Sequence, residues 1–263
     1  MEWAAYLGIG ALVGFAAGLL GIGGGVVMVP LLVLVFRAHE MPPEHVLHLA
    51  LGTALAAMMF TSVSSMRAHH AHGAVDWKIA RAMAPGMLFG SFVAAIVAGW
   101  IPTRPLAVLF TAFVFYAATS ILLDIKPATT RALPGTGGIF TAGAVIGAVS
   151  SLLAAGGAFM TIPFLAWCGV SLRRAIGTAA ANGLPIAIAG TAGYLIQGWR
   201  VPDLPYPSLG YVYLPALALV VTTSMLTAPV GARAAHRLPI KILRRMFAVL
   251  LYVFALRMLA GVW

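Results

Sequence analysis

Residues 14–32, GFAAGLLGIGGGVVMVPLL, return in altered form at 147–165, GAVSSLLAAGGAFMTIPFL. At this offset of 133, seven of the nineteen positions are identical: Gly14/Gly147, Leu19/Leu152, Leu20/Leu153, Gly23/Gly156, Gly24/Gly157, Pro30/Pro163 and Leu32/Leu165. A shorter echo follows each copy, ALGTA at 50–54 and AIGTA at 175–179. Each long copy sets a glycine break inside an apolar segment. Paired glycine-interrupted segments in the two halves of a membrane protein point to the binding site of a transporter.

Composition decides that a membrane is the solvent. The chain of 263 residues is 62% apolar and 8% charged, with a mean hydropathy of +1.00. A soluble domain carries roughly 25% charged residues. The apolar runs are continuous, whereas strands of a transmembrane barrel alternate over about ten residues. The expectation is therefore an all-α polytopic membrane protein. The net charge of +10 does not signal nucleic acid, because the basic residues sit at segment boundaries, where membrane topology accounts for them. The opening MEWAAYLGIG lacks a basic n-region, so the first segment is expected to be retained rather than cleaved.

A spanning helix needs about 20 apolar residues. Stretches 3–20, 46–66, 79–99, 106–123, 138–155, 175–197, 212–232 and 246–262 meet that need. Two shorter pieces, 26–36 and 159–168, follow the breaks and read as half-helices. The polar, Pro- and Gly-containing stretch 124–138 reads as a linker, between a membrane repeat at 1–123 and a second at 139–263. Suppose each broken pair returns to the side it came from, as a hairpin or as two crossings. One face then collects twelve Lys and Arg: Arg67, Lys78, Arg81, Lys126, Arg131, Arg173, Arg174, Arg233, Arg237, Lys241, Arg244 and Arg245. The other face collects Arg37, Arg104 and Arg200. The positive-inside rule prefers this count to the nine-against-six split of single crossings. It implies two inverted repeats, each a Gly-broken helix pair plus three spanning helices, with both termini outside.

Unwound backbone at Gly21, Gly23, Gly24 and Gly25 leaves polar groups unpaired, which lipid does not tolerate unless protein or water covers them. The half-helix starting near Val26 presents free N–H groups and a positive dipole end at membrane depth, a setting that suits an anion. Gly156-Gly157 before Ala158 repeats the device. The competing reading of such glycines is close helix packing. Pro30 and Pro163 lie too deep for first-turn prolines and are expected to kink or end their helices.

Few other polar groups fall near the midplane. Thr53 and Thr178 follow Gly52 and Gly177 in register, and Asn182 shares a helical face with Thr178. Ser150, Ser151 and Thr161 flank the second break; the bland reading of each hydroxyl is a bond to its own helix. The substrate-contacting set is thus Gly23, Gly24, Gly25, Val26, Thr53, Gly156, Gly157, Ala158, Thr178 and Asn182, with Gly21, Pro30, Gly52, Pro163 and Gly177 as structural hinges. Acids lie at boundaries (Glu44, Asp76, Asp124, Asp203), so an intramembrane carboxylate relay is not expected. Coupling either runs through His45 and His48, or the substrate follows its own gradient. His69, His70 and His72 read as solvated loop residues rather than metal ligands. Cys168 reads as a packed apolar cysteine. Neither a Walker A loop nor GxGxxG is present, so no nucleotide, other cofactor or metal is called for, and no nucleophile–base set suggests an enzyme.

The pattern GxxxGLLGIGGGxxxVPLL, with a downstream AxGT and the ending GARAAHRLPIKILRRMFAVLLYVFALRML, resembles the sulfite exporter TauE/SafE family of bacterial inner-membrane proteins. The resemblance spans nearly the whole chain. It implies a multi-pass plasma-membrane transporter exporting sulfite, sulfoacetate or a related organosulfonate by alternating access between the two breaks. An anion channel, an uptake carrier for another small anion and a non-transporting assembly protein stay open beside it. So does self-association into a homo-oligomer. The second copy departs from the family pattern: Ala154 and Ala158 stand where glycines are usual, which predicts a stiffer second break.

Overall fold

The computed structural model describes residues 2–20, 24–123, 132–235 and 240–262. Among these residues ten helices follow one another: α1 Glu2–Leu20, α2 Gly25–Ala38, α3 Val46–Ala71, α4 Trp77–Ala98, α5 Thr103–Leu123, α6 Thr136–Leu152, α7 Ala158–Trp167, α8 Leu172–Gly198, α9 Leu214–Ala235 and α10 Ile240–Val262. Among the described residues, α3, α4, α5, α8 and α9 are long and apolar enough to cross a membrane. Their outward side chains, such as Phe89, Tyr116 and Leu226, are apolar, as a lipid-facing surface requires. Trp3, Trp100 and Trp199 stand exposed at helix ends, the position of interfacial aromatics.

Several boundaries move from their predicted places. Helix α3 runs to Ala71, so His69 and His70 lie in its last turn rather than in a loop. Helix α6 begins at Thr136, inside the stretch predicted as linker; 124–131 lie outside the described residues. Neither Pro30 nor Pro163 ends its helix, since α2 and α7 continue through them. Each removes one N–H from the ladder, a loss that packed apolar neighbours offset. A short hairpin, β1 Ser208–Leu209 with β2 Val212–Tyr213, precedes α9, so the first two residues of the predicted 212–232 helix form a strand instead.

The helices pack by exchange. Helix α1 lies on α9, and α6, the counterpart of α1, lies on α4. The crossing is made the same way twice. A β-carbon at Gly10 or Gly14 would come within 2.8 Å of Val220 or Ser224 backbone, and one at Gly143 or Gly147 within the same distance of Met83 or Met87 backbone. Here the glycines serve close backbone approach. Gly14 and Gly147 of the duplicated motif therefore pack, while only the later glycines make the break. At the centre, α3 and α8 cross in opposite directions: Gly190 faces Leu55 and Gly183 faces Ser62.

Candidate functional site

The two breaks meet. A β-carbon at Gly25 would lie 1.9 Å from the Ala154 carbonyl oxygen and 2.9 Å from Met58 Sδ. The first turn of α2 therefore rests on the backbone of the second break, and Gly25, Val26, Gly156, Gly157 and Ala158 are all buried. Gly21 and Gly23 lie outside the described residues. Gly24 caps α2 in ordinary right-handed geometry (φ −62°). Gly157 caps α7 at φ +73°, after Gly156 at +59° and Ala154 at +47°. The left-handed region costs a residue with a β-carbon roughly 1–2 kcal/mol. Ala154 thus occupies a glycine's conformation without a glycine's freedom.

The side chains around the breaks differ in kind. Val13 and Ala17 approach Gly24; Ile186, Thr161 and Ser150 approach Gly157. Ser150, Ser151 and Thr161 are buried, and neither Ser151 Oγ nor Thr161 Oγ1 has a hydrogen-bond partner among the described residues. Thr119, Thr141, Thr222 and Thr227 follow the bland reading and bond to carbonyls of their own helices, while buried Thr111 and Thr191, like Ser151 and Thr161, find no partner among the described residues. At offset 133 the first break carries Ala17, Gly18 and Met28 instead. The polar half of the junction belongs to the second repeat alone, a difference visible in the sequence only after the two copies are aligned.

The Gly-Thr pairs stand apart from the breaks and clasp the opposite repeat. Thr53 Oγ1 accepts the Tyr213 N–H at 3.0 Å, and Gly52 lets the Tyr211 carbonyl approach. Thr178 Oγ1 accepts the Asp76 N–H at 3.0 Å, and Gly177 lets the Ala74 carbonyl approach. Asp76 in turn caps α4 by accepting from Lys78 and Ile79 N–H groups. Each threonine keeps its own O–H for donation. Asn182 is buried, with Nδ2 3.6 Å from Met83 Sδ.

A cavity of about 1020 Å³ opens beside the start of α3. His45, His48 and Tyr211 line it, together with Arg37, Glu40 and Arg104. The Tyr211 hydroxyl lies 3.4 Å from His45 Nδ1, and burial pushes its phenol up from the ordinary range, so it stays a neutral O–H. Cys168, capping the end of α7, is buried and its thiol is likewise pushed up by burial.

A continuous apolar bundle, two interrupted helices abutting inside it and a polar mouth define a polytopic membrane protein of transporter type. Residues 6–258 match the family Sulfite exporter TauE/SafE. The chain belongs to that family. A Haemophilus influenzae protein named "Probable membrane transporter protein" is 36% identical over 252 residues, 95% of each chain. Proteins of the same kind from Bacillus subtilis (29% over 240 residues, 89% of this chain and 90% of the relative) and Methanocaldococcus jannaschii (26% over 257 residues, 95% and 93%) are also similar. No solved structure matches the chain.

Proposed function

We propose that this membrane transporter moves a small sulfur-containing anion, sulfite or an organosulfonate such as sulfoacetate, outward across a bacterial plasma membrane. One observation carries the reading: the two broken segments abut in the interior, and two buried hydroxyls without partners among the described residues, Ser151 and Thr161, stand beside them. Helix N-termini attract negative charge by about 0.3–1 kcal/mol each, up to about 2 when partly buried. Free O–H groups add donors without a fixed cation, so the anion can leave as well as bind. Glycine and Val26 backbone of α2, Gly156, Gly157 and Ala158 of α7, and Asn182 of α8 form the substrate set, while the Gly-Thr pairs hold the repeats together.

The opposed course of α3 and α8 supports an inverted arrangement, the uneven count of Lys and Arg favours both termini outside, and alternating access follows from rocking one repeat against the other. The junction offers no acid–base pair for chemistry on the anion, which favours a carrier over an enzyme. The test is flux of sulfite and sulfoacetate into proteoliposomes, wild type against Gly24→Leu and Gly157→Leu. Saturable flux lost in both variants is expected. Unsaturable flux would make the protein a channel, and no flux of either anion would remove the substrate class.

A further inference from the structure

Helices α3 and α8 each carry a basic residue four positions before the Gly-Thr pair: His48 before Gly52 and Arg173 before Gly177. Arg173 reaches across to the opposite repeat, whereas His48 bonds within its own repeat and meets the other repeat through Tyr211. Arg173 donates to the His72 carbonyl at 2.8 Å, and its neighbour Arg174 reaches Asp76 at 3.9 Å. That clasp is closed by permanent charge.

The other clasp is built around a group that can gain or lose charge. His48 Nε2 lies 3.0 Å from the Ala98 carbonyl and 3.1 Å from the Ile101 carbonyl. Two acceptors require Nε2 to carry the hydrogen, which leaves the lone pair on Nδ1. That atom is buried and has no hydrogen-bond partner among the described residues. The ring stacks on Tyr211, with centroids 5.1 Å apart and planes at 28°, and lines the 1020 Å³ cavity.

We propose that His48 Nδ1 is a proton-binding site of the transport cycle, filled from water in this cavity. The proton adds to the lone pair and no other bond changes. The imidazolium then supplies at the first clasp the cation that Arg173 supplies at the second. The groups facing it come from every neighbouring element. Glu44 and His45 lie just before α3, Arg37 comes from the last turn of α2 and Glu40 from the turn after it, Arg104 from α5, and Tyr211 from the hairpin with Tyr194 of α8 behind it. Two arginines and two glutamates balance in formal charge.

The role in flux rests on the transporter reading; the protonation does not, and two measurements separate them. The first is nitrogen NMR of histidine-labelled protein in nanodiscs, with His48 assigned through His48→Gln. The His48 ring is expected to pass from the Nε2–H tautomer to the doubly protonated form between about pH 8 and pH 5, the range in which histidine titrates. A single unchanged tautomer across that range overturns the proposal. The second is sulfoacetate flux in proteoliposomes under an imposed pH gradient. Wild-type flux is expected to respond to the gradient, and His48→Gln and His48→Arg, which fix the charge at zero and at one, are expected to lose the response. A gradient response kept by either folded variant overturns the coupling. Wild type that titrates at His48 but moves no sulfoacetate fails the substrate reading and upholds the proton site.

Discussion

The two breaks of this chain descend from one pattern and have come to do different work. The first, capped at Gly24 in right-handed geometry, is lined by Val13, Ala17 and Met58 and contributes closeness: its Gly25 touches the backbone of the other break. The second holds three residues with positive φ and three buried hydroxyl side chains. Duplication supplied two helix N-termini, and divergence made one of them polar and the other small and apolar. An anion at the junction would be recognised mainly from the second repeat, against a smooth surface provided by the first.

The strongest way to break that division is at the point of contact. Gly25→Val places its β-carbon 1.9 Å from a backbone oxygen, which no rotamer change relieves. Overpacking of this kind costs about 3 kcal/mol, the upper end of its usual range, and the half-helix must shift. Folded yield in detergent and flux should both collapse. Retention of both would show that the breaks do not abut. Next in size is a matched pair, Gly157→Ala against Gly24→Ala. The first must hold an alanine at φ +73° and move Ile186 Cδ1, now 2.6 Å from the new atom. It should lose about 1–2 kcal/mol on conformation alone. The second asks only that Val13 Cγ1 yield, and should lose less. Equal melting temperatures would erase the geometric difference between the breaks.

Much of this was legible before the structure. The half-helices at 25–38 and 158–167 fall within one or two residues of the predicted 26–36 and 159–168, because glycine breaks and apolar length are local signals. The role of the Gly-Thr pairs was not legible. Recurrence of Gly52-Thr53 and Gly177-Thr178 marks them as paired, but their partners lie 160 and 102 residues away. Only the exchange of α1 and α6 onto the opposite repeat brings those backbones together. Gly14 and Gly147 taught the reverse: they belong to the repeat by sequence, yet their purpose is helix packing. Hydroxyl pairing is equally non-local, since the bland reading suits Thr119 and fails for Thr161 in helices of similar composition.

The clasps sharpen the comparison further. Thr178→Val removes the acceptor of the Asp76 N–H, and Thr53→Val removes that of the buried Tyr213 N–H. Each should lower stability by about 1–2 kcal/mol, the cost of an orphaned backbone donor. The Thr53 variant should lie at the upper end because its partner is buried, while the turn at Asp76 is partly open. Thermal melting of the two purified variants checks the order. A Thr178 variant less stable than the Thr53 variant would place the stronger clasp on the other side.

The smallest effect on stability belongs to the most informative pair, Ser151→Ala and Thr161→Val. Both remove a buried hydroxyl that makes no hydrogen bond. An unsatisfied buried hydroxyl is a cost of about 1 kcal/mol or more, so each variant should melt slightly higher than wild type. If these hydroxyls donate to the anion, the same variants should bind it more weakly. A hydrogen bond to a charged group contributes about 1.5–3 kcal/mol, and the concentration for half-maximal flux should rise about tenfold or more. Stability and function then move in opposite directions. Higher melting with unchanged flux would make Ser151 and Thr161 bystanders and return the junction to its glycines. Lower melting would mean that each hydroxyl has a partner in the folded protein, such as a buried water, and that the second break is already satisfied before any substrate arrives.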